Sequence, residues 1–364
     1  MSGCTNGGRG FGSDNHSGAH PAILQAVAQA SAGHAHPYGD DKWTREATEV
    51  LRARLGTTSN AECDVAFVFN GTGANCVAYA AVCRGWESVI CAESAHVNED
   101  ESTAPQHLAG IKLVPVSTSD GKLTPDLVKP HLHSFGFEHH AQPRLISVSN
   151  VTELGTVYTP DELIALSRLA HGHNMLLHVD GARIANAAAA LSCSLADLSS
   201  KAGVDVLSLG GTKNGMVLGE AVVLFGDARV SHLAYVRKRS GQLASKMRFI
   251  AAQFSAMYAG DLWLECAQHA NRMAALLADH ARALGIEFAC EPQANEVFAL
   301  LPAESVPELA ERFGFYTWKE TPDEAGRILV RWVTSWDTQE EDVEEFAGAL
   351  GSALGGQQAG DSIS

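Results

Sequence analysis

From about residue 60 to 226 the chain alternates short apolar runs with helical stretches, and this alternation constrains the fold more than any other feature. Val65–Phe69, Ser88–Cys91, Leu145–Ser149, Met175–Val179, Val204–Leu209 and Ala221–Phe225 read as buried strands. Each is apolar and bounded by Gly, Asn, Asp or Ser, residues that end strands and open turns. Ala74–Cys83 and Pro160–Ala170 read as helices between them. The second carries its own start signal, with Thr159 as N-cap, Pro160 at the first helical position and Glu162 at the third. Such alternation predicts a mainly parallel sheet covered by helices on both faces.

Beyond about residue 226 the pattern changes. Gln242–Tyr258 and Asp261–Leu284 read as long helices. Glu296–Leu301 and Ile328–Val333 read as strands, with helices at Val306–Phe313 and Glu340–Leu354. The expected organisation is a tail over 1–10, a large α/β domain with an N-terminal arm over 11–258, a small α+β domain over 259–354 and a second tail over 355–364. At 364 residues, 46% hydrophobic and 19% charged, the chain has the apolar material for such cores. That composition excludes disorder, a coiled coil and a disulfide-stapled miniature domain. Against 26 basic residues stand 42 acidic ones, a net −16 that repels phosphate backbones and anionic lipid, so neither nucleic acid nor a membrane surface is an expected partner. The opening residues lack the apolar core of a signal peptide, and no uninterrupted apolar stretch of about 18 residues occurs. None of the eight cysteines forms a CxxC pair; they read as buried and reduced, and a cytoplasmic location is expected.

In open α/β sheets ligands bind beyond the carboxyl ends of the strands. Polar and reactive segments directly succeed the apolar runs here: Asn70-Gly71-Thr72-Gly73, then Glu93-Ser94-Ala95-His96, then Asp180-Gly181-Ala182-Arg183, then Gly210-Gly211-Thr212-Lys213-Asn214-Gly215. Gly71-Thr72-Gly73 opens a helix, where backbone N–H groups and the helix dipole receive an anion; the plain alternative is a tight strand-to-helix turn. Asp180 is either a loop carboxylate or, beside a cofactor, the partner of a pyridinium nitrogen. Arg183 is either a surface ion-pair member or a bidentate clamp for a carboxylate. Lys213 sits in a glycine-rich turn after a buried strand, where desolvation suits a lysine to imine chemistry, although most lysines are simply solvated. The pairs His34/His36 and His139/His140 lack metal-site spacing and partners, so no metal is expected.

Taken in order, these segments resemble the pyridoxal-phosphate (PLP) enzymes of fold type I (aspartate-aminotransferase-like), and more narrowly the low-specificity L-threonine aldolases of the β-eliminating lyase family. The likeness extends to Ser13-Asp14-Asn15, Tyr38-Gly39-Asp40-Asp41, Gly241–Arg248 and Val330-Arg331-Trp332, and spans about 11 to 350. The resemblance implies that Lys213 carries the cofactor, Asp180 partners its ring nitrogen and His96 stacks on its face. It implies phosphate contacts at Gly71 and Thr72 with Arg248 as a further one, and a substrate carboxylate held by Ser13, Arg183 and Arg331, with Tyr38 nearby. His139 matches a second histidine near the β-hydroxyl of the substrate. The family turn often reads Thr-Gly-Thr where this chain has Asn70-Gly71-Thr72. The implied activity is reversible cleavage of threonine, allo-threonine and related β-hydroxy-α-amino acids to glycine and an aldehyde. The alternatives are a phenylserine aldolase, a transaldolase, a β-eliminating lyase or a non-catalytic phosphate-binding α/β protein. The resemblance also implies a homo-oligomer, a dimer or dimer of dimers, with Tyr38–Asp41 and Gly241–Arg248 reaching a neighbouring chain's cofactor.

Overall fold

The computed structural model describes residues 9–57 and 62–358. The tails expected at 1–8 and 359–364, and Cys4, lie outside the described residues. Two compact units emerge. One takes in the chain up to Gly18, Leu154–Thr156 and the chain from Glu265 onward; the other holds Ala19–Glu153 and Val157–Leu264.

The larger unit is built on a seven-stranded sheet of β1 (Cys63–Val68), β2 (Glu87–Ala92), β3 (Lys112–Val116), β4 (Gln142–Ser149), β5 (Leu176–Gly181), β6 (Val206–Leu209) and β7 (Glu220–Phe225). Their spatial order is β1-β7-β6-β5-β4-β2-β3. From β3 through β2, β4 and β5 to β6 every pairing is parallel, whereas β7 runs antiparallel to β6 and to β1. The reversal has a local cause. Residues 210–219 are all that join β6 to β7, too few for the dozen or more that a parallel crossover needs. The expected mainly parallel α/β sheet is therefore present, and its one reversal falls on the connection that carries Lys213.

The Gly71–Val82 helix packs on β6 and β7, and the helices Pro21–Ala30 and Lys42–Arg54 pack on Arg248–Tyr258. That last helix starts six residues later than the expected Gln242. Residues 241–247 are instead irregular chain and turns, where the Tyr38 N–H donates to the Ser245 carbonyl at 2.9 Å. In the Pro160–Gly172 helix Thr159 and Glu162 form the expected reciprocal cap.

The smaller unit carries an antiparallel sheet ordered β10-β11-β9-β8, from β8 (Glu287–Phe288), β9 (Glu296–Pro302), β10 (Tyr316–Lys319) and β11 (Arg327–Val333). Phe11, Phe313, Phe315, Trp332 and Phe346 meet in its core. Phe11 stacks on Phe346 at 4.9 Å, its N–H donates to the Phe313 carbonyl at 2.9 Å and its carbonyl accepts from Val333 at 2.8 Å. Residues 11–18, expected with the large domain, therefore belong to the small unit, because Phe11 fills its core. Both expected tails are shorter where they are described: Arg9 forms ion pairs with Asp337 and Asp342, and Gly355–Gln358 continues the last helix. All described cysteines are free, with Cys193 and Cys290 half-buried and the rest buried.

Candidate active site

The larger unit brings four strand ends together. Asp180 stands at the end of β5, its carbonyl accepting from Asn150 at 2.9 Å. His96 opens a short helical turn after β2. Lys213 lies on a 3-10 turn, Thr212–Asn214, after β6. Gly71 and Thr72 begin the helix after β1, capped by Asn70, whose Oδ1 accepts from the Gly73 N–H at 2.7 Å. Helix N-termini leave N–H groups pointing outward. Here those of Gly71 and Thr72 have no acceptor among the described residues.

Electrostatics ties these groups into one cluster. His96 Nδ1 lies 2.9 Å from Glu101 Oε1, and this hydrogen bond holds the imidazole above its ordinary pKa; Asp180 adds to the effect, while burial and Lys213 oppose it. Asn75 Nδ2 donates at 2.8 Å both to Glu101 Oε1 and to Asp180 Oδ2, and Asp180 Oδ1 accepts from the Ala182 N–H at 3.0 Å. Glu153 Oε1 accepts from the His96 N–H at 2.8 Å and from Ser149 Oγ at 2.6 Å; burial pushes its pKa up in spite of both. Glu220 accepts from the Gly211 N–H at 2.7 Å and is pushed up to about 7, chiefly by burial, with Lys213 pulling the other way. Lys213 itself makes no hydrogen bond or ion pair among the described residues.

Other expected residues take distinct places. Arg183 is half-buried at the N-terminus of the Ile184–Leu191 helix. His139 is exposed on a turn with its ring 5.1 Å from Phe137, and among the described residues no hydrogen bond or ring contact joins it to the His96 cluster. Tyr38 and Arg248 come together through their segments: Tyr38 bonds Ser245, and Arg248 Nη1 donates to the Gly33 carbonyl at 3.4 Å while its Nε is buried without a partner. Ser13 and Arg331 belong to the smaller unit. Ser13 Oγ accepts from the Asn15 N–H at 3.1 Å. Arg331 donates to the Gly12 carbonyl at 3.2 Å, lies 3.9 Å from Glu296 and sits over the Trp318 ring at 4.9 Å. Sequence reasoning missed Glu153 and Glu220, which stand in no motif, and gave Asn75 no role of its own.

The fit to PLP can be judged from these atoms. The aldehyde needs an amine without a partner, and Lys213 supplies one. The ring nitrogen needs a carboxylate, and Asp180 is held in place by two N–H donors. The phosphate needs outward N–H groups and room: a Cβ built on Gly71 meets nothing within 4 Å, and the buried Ser94 Oγ beside His96 has no partner. The residues fit the group.

Known proteins agree. The beta-eliminating lyase family matches residues 10–304. The low specificity L-threonine aldolase of Pseudomonas aeruginosa is 43% identical over 95% of this chain and 98% of its own. That of a Pseudomonas species is 39% identical over 94% and 97%. The solved threonine aldolase of Leishmania major superposes with a TM-score of 0.89 at 31% identity, over 95% of this chain and all of that one. An aspartate aminotransferase of Thermus thermophilus, at 19% identity and a TM-score of 0.67 over 93% of this chain and 89% of that one, shares the fold alone. With two thirds of its length or more covered by each of these matches, the chain belongs to the beta-eliminating lyase family of PLP-dependent enzymes.

Proposed function

We propose that the chain cleaves threonine, allo-threonine and related β-hydroxy-α-amino acids to glycine and an aldehyde. The observation that carries this reading is the convergence of Lys213, Asp180 and His96 at the carboxyl ends of β6, β5 and β2, with His96 coupled electrostatically to both of the others. PLP, when bound, supplies an electron sink for the bond broken at the α-carbon. Everything else falls to the chain. Lys213 would hold the cofactor through its amine. Asp180 holds the proton on the ring nitrogen. The Gly71 and Thr72 N–H groups take the phosphate, with Arg248 as a further contact. Arg183, Ser13 and Arg331 are assigned the substrate carboxylate on family likeness. Fixing that carboxylate would orient the substrate and so select which bond at the α-carbon breaks. His96 would lie against the cofactor ring, and either His96 or His139 would accept the β-hydroxyl proton as the carbon–carbon bond opens.

The test is to incubate purified protein with threonine, allo-threonine, serine and phenylserine and to assay glycine and aldehyde. Glycine plus aldehyde in equal amounts supports the reading; ammonia plus a keto acid assigns β-elimination instead.

The finer proposal is a homo-oligomer, a dimer or dimer of dimers, acting in the cytoplasm. An apolar groove of about 380 Å³ supports association: Val27, Phe69, Val217, Leu218, Phe249 and Ile250 line it. Val217 is 47% exposed and Leu218 37%, so the groove presents contiguous apolar surface to water. Free cysteines throughout the described residues fit a reducing compartment.

A further inference from the structure

A continuous line of hydrogen bonds crosses the larger unit beneath the strand ends. Tyr79 Oη lies 2.7 Å from Ser147 Oγ on β4. Ser147 Oγ lies 2.9 Å from Nδ1 of His178 on β5, and His178 Nε2 lies 3.0 Å from Oγ of Ser208 on β6. Ser208 Oγ donates to Asn75 Oδ1 at 2.8 Å, and Asn75 Nδ2 donates to Asp180 and Glu101. Tyr79, Ser147, His178, Ser208 and Asn75 are all buried, so none can exchange its partner for water.

Donor and acceptor accounting fixes the direction of every link. Carboxylate oxygens accept, so Asn75 must present its nitrogen to Asp180 and Glu101 and its oxygen to Ser208. The Ser208 hydroxyl gives its single proton to that oxygen, so it accepts from His178. The His178 proton therefore sits on Nε2. Burial pushes the His178 pKa down to about 4, so the ring is neutral and Nδ1 is an acceptor. Ser147 then donates to Nδ1 and accepts from Tyr79. Reversing any one group strands a buried donor or acceptor, at a cost that no neighbour relieves.

We propose that this line is a positioning device, in which His178 and Ser208 fix the amide of Asn75, and Asn75 fixes the Asp180 carboxylate toward the cofactor ring nitrogen and, through Glu101, the His96 imidazole toward the ring face. The inference rests on the roles given above to Asp180 and His96. It adds Asn75, Ser208 and His178 as positioning residues. They act through Asp180 and, by way of Glu101, through His96.

Nitrogen NMR of the full-length holoenzyme, labelled at its histidines, reads the device directly. His178 is expected to carry its proton on Nε2 with Nδ1 bare. Ser208→Thr keeps the hydroxyl and keeps that tautomer. Ser208→Ala removes the acceptor of Nε2 and moves the proton to Nδ1, where Ser147 can receive it. Asn75→Ala and Ser208→Ala each lower kcat by roughly tenfold with less change in KM, because the Asp180 carboxylate is then less firmly held. A proton on Nδ1 in the wild-type protein overturns the proposal without any variant having to fold. So does a Ser208→Ala protein with the tautomer and kcat both unchanged. Failure of the Asp180 role is a separate result: Asp180→Asn would then leave kcat intact while the His178 tautomer stayed as assigned.

Discussion

Lys213 owes its position to the residues that flank it. A Cβ on Gly210 would collide with the Ala182 backbone, and one on Gly211 would lie 2.7 Å from the Gly219 carbonyl, so the turn closes over β5 only where side chains are absent. This is why a glycine frame around one lysine could be read in the sequence at all. Lys213→Ala should abolish turnover and the absorption band of the lysine-bound cofactor while circular dichroism stays unchanged. Borohydride reduction and then peptide mapping should label Lys213; a label on Lys42, Lys201 or Lys246 would reassign the site. Asp180→Asn should lower kcat far more than it changes KM, because a neutral amide cannot hold the ring nitrogen protonated when charge flows into the ring. Steady-state kinetics with threonine decides it, and a change in KM alone sinks the role. Lys213, Asp180 and Arg183 were legible because each comes soon after an apolar run. Glu153 and Glu220 were not, because an isolated carboxylate carries no spacing; it acquires meaning only when folding buries it beside His96 or Gly211.

At the scale of elements, the strands that could be read carry apolar runs, and those that could not, β3, β8 and β10, lie at sheet edges. β3 holds Pro115 and half-exposed positions, as an edge strand can, and so shows no apolar run. The exposed β10 and the two-residue β8 hide in the same way. β7 was legible as a strand but not as a reversed one, since direction depends on the length of the connection, not on the strand's own residues. β7 also carries a pH dependence. Its Glu220 is raised from 4.5 to about 7, chiefly by burial. Below 4.5 the carboxyl is protonated in the folded and unfolded chain alike, and its contribution stands in full. As pH rises toward 7 the unfolded chain ionises first, so stability falls through that window and levels off above it, by a total on the order of 3 kcal/mol. Glu220→Gln should flatten this slope, as measured by denaturant unfolding across the same window. His178, pushed down to about 4 from 6.5 by burial, works in the opposite sense: its contribution stands above 6.5 and is lost as pH falls toward 4. An unaltered slope in Glu220→Gln would show that the carboxyl is already ionised when buried.

At the scale of the whole molecule, the proposal with the widest consequence is that one chain does not build a complete site. The chain carries a net −16, yet Lys246 and Arg248 stand together in a segment that also meets Gly33 and Tyr38. The Arg248 Nε is buried without a partner, a costly state that an anion from outside the chain would relieve. The same segment contributes Ser245, Lys246 and Phe249 to the apolar groove, whose rim includes Phe69, the residue directly before Asn70-Gly71. Among the described residues, basic groups lacking an anion and an apolar groove lacking a cover therefore lie beside the Asn70-Gly71-Thr72 turn. An isologous contact satisfies both at once, since each partner supplies the same residues to the other. The alternative is a basic surface patch with no role in catalysis. Complementation separates them. Lys213→Ala and Arg248→Ala chains, each inactive alone, should regain part of the wild-type activity after mixing and subunit exchange. Hybrid pairs then contain one site with an intact Lys213 and an intact Arg248 from opposite chains. Confirmed exchange without recovery, or a monomer at working concentration by light scattering, would establish that each chain completes its own site.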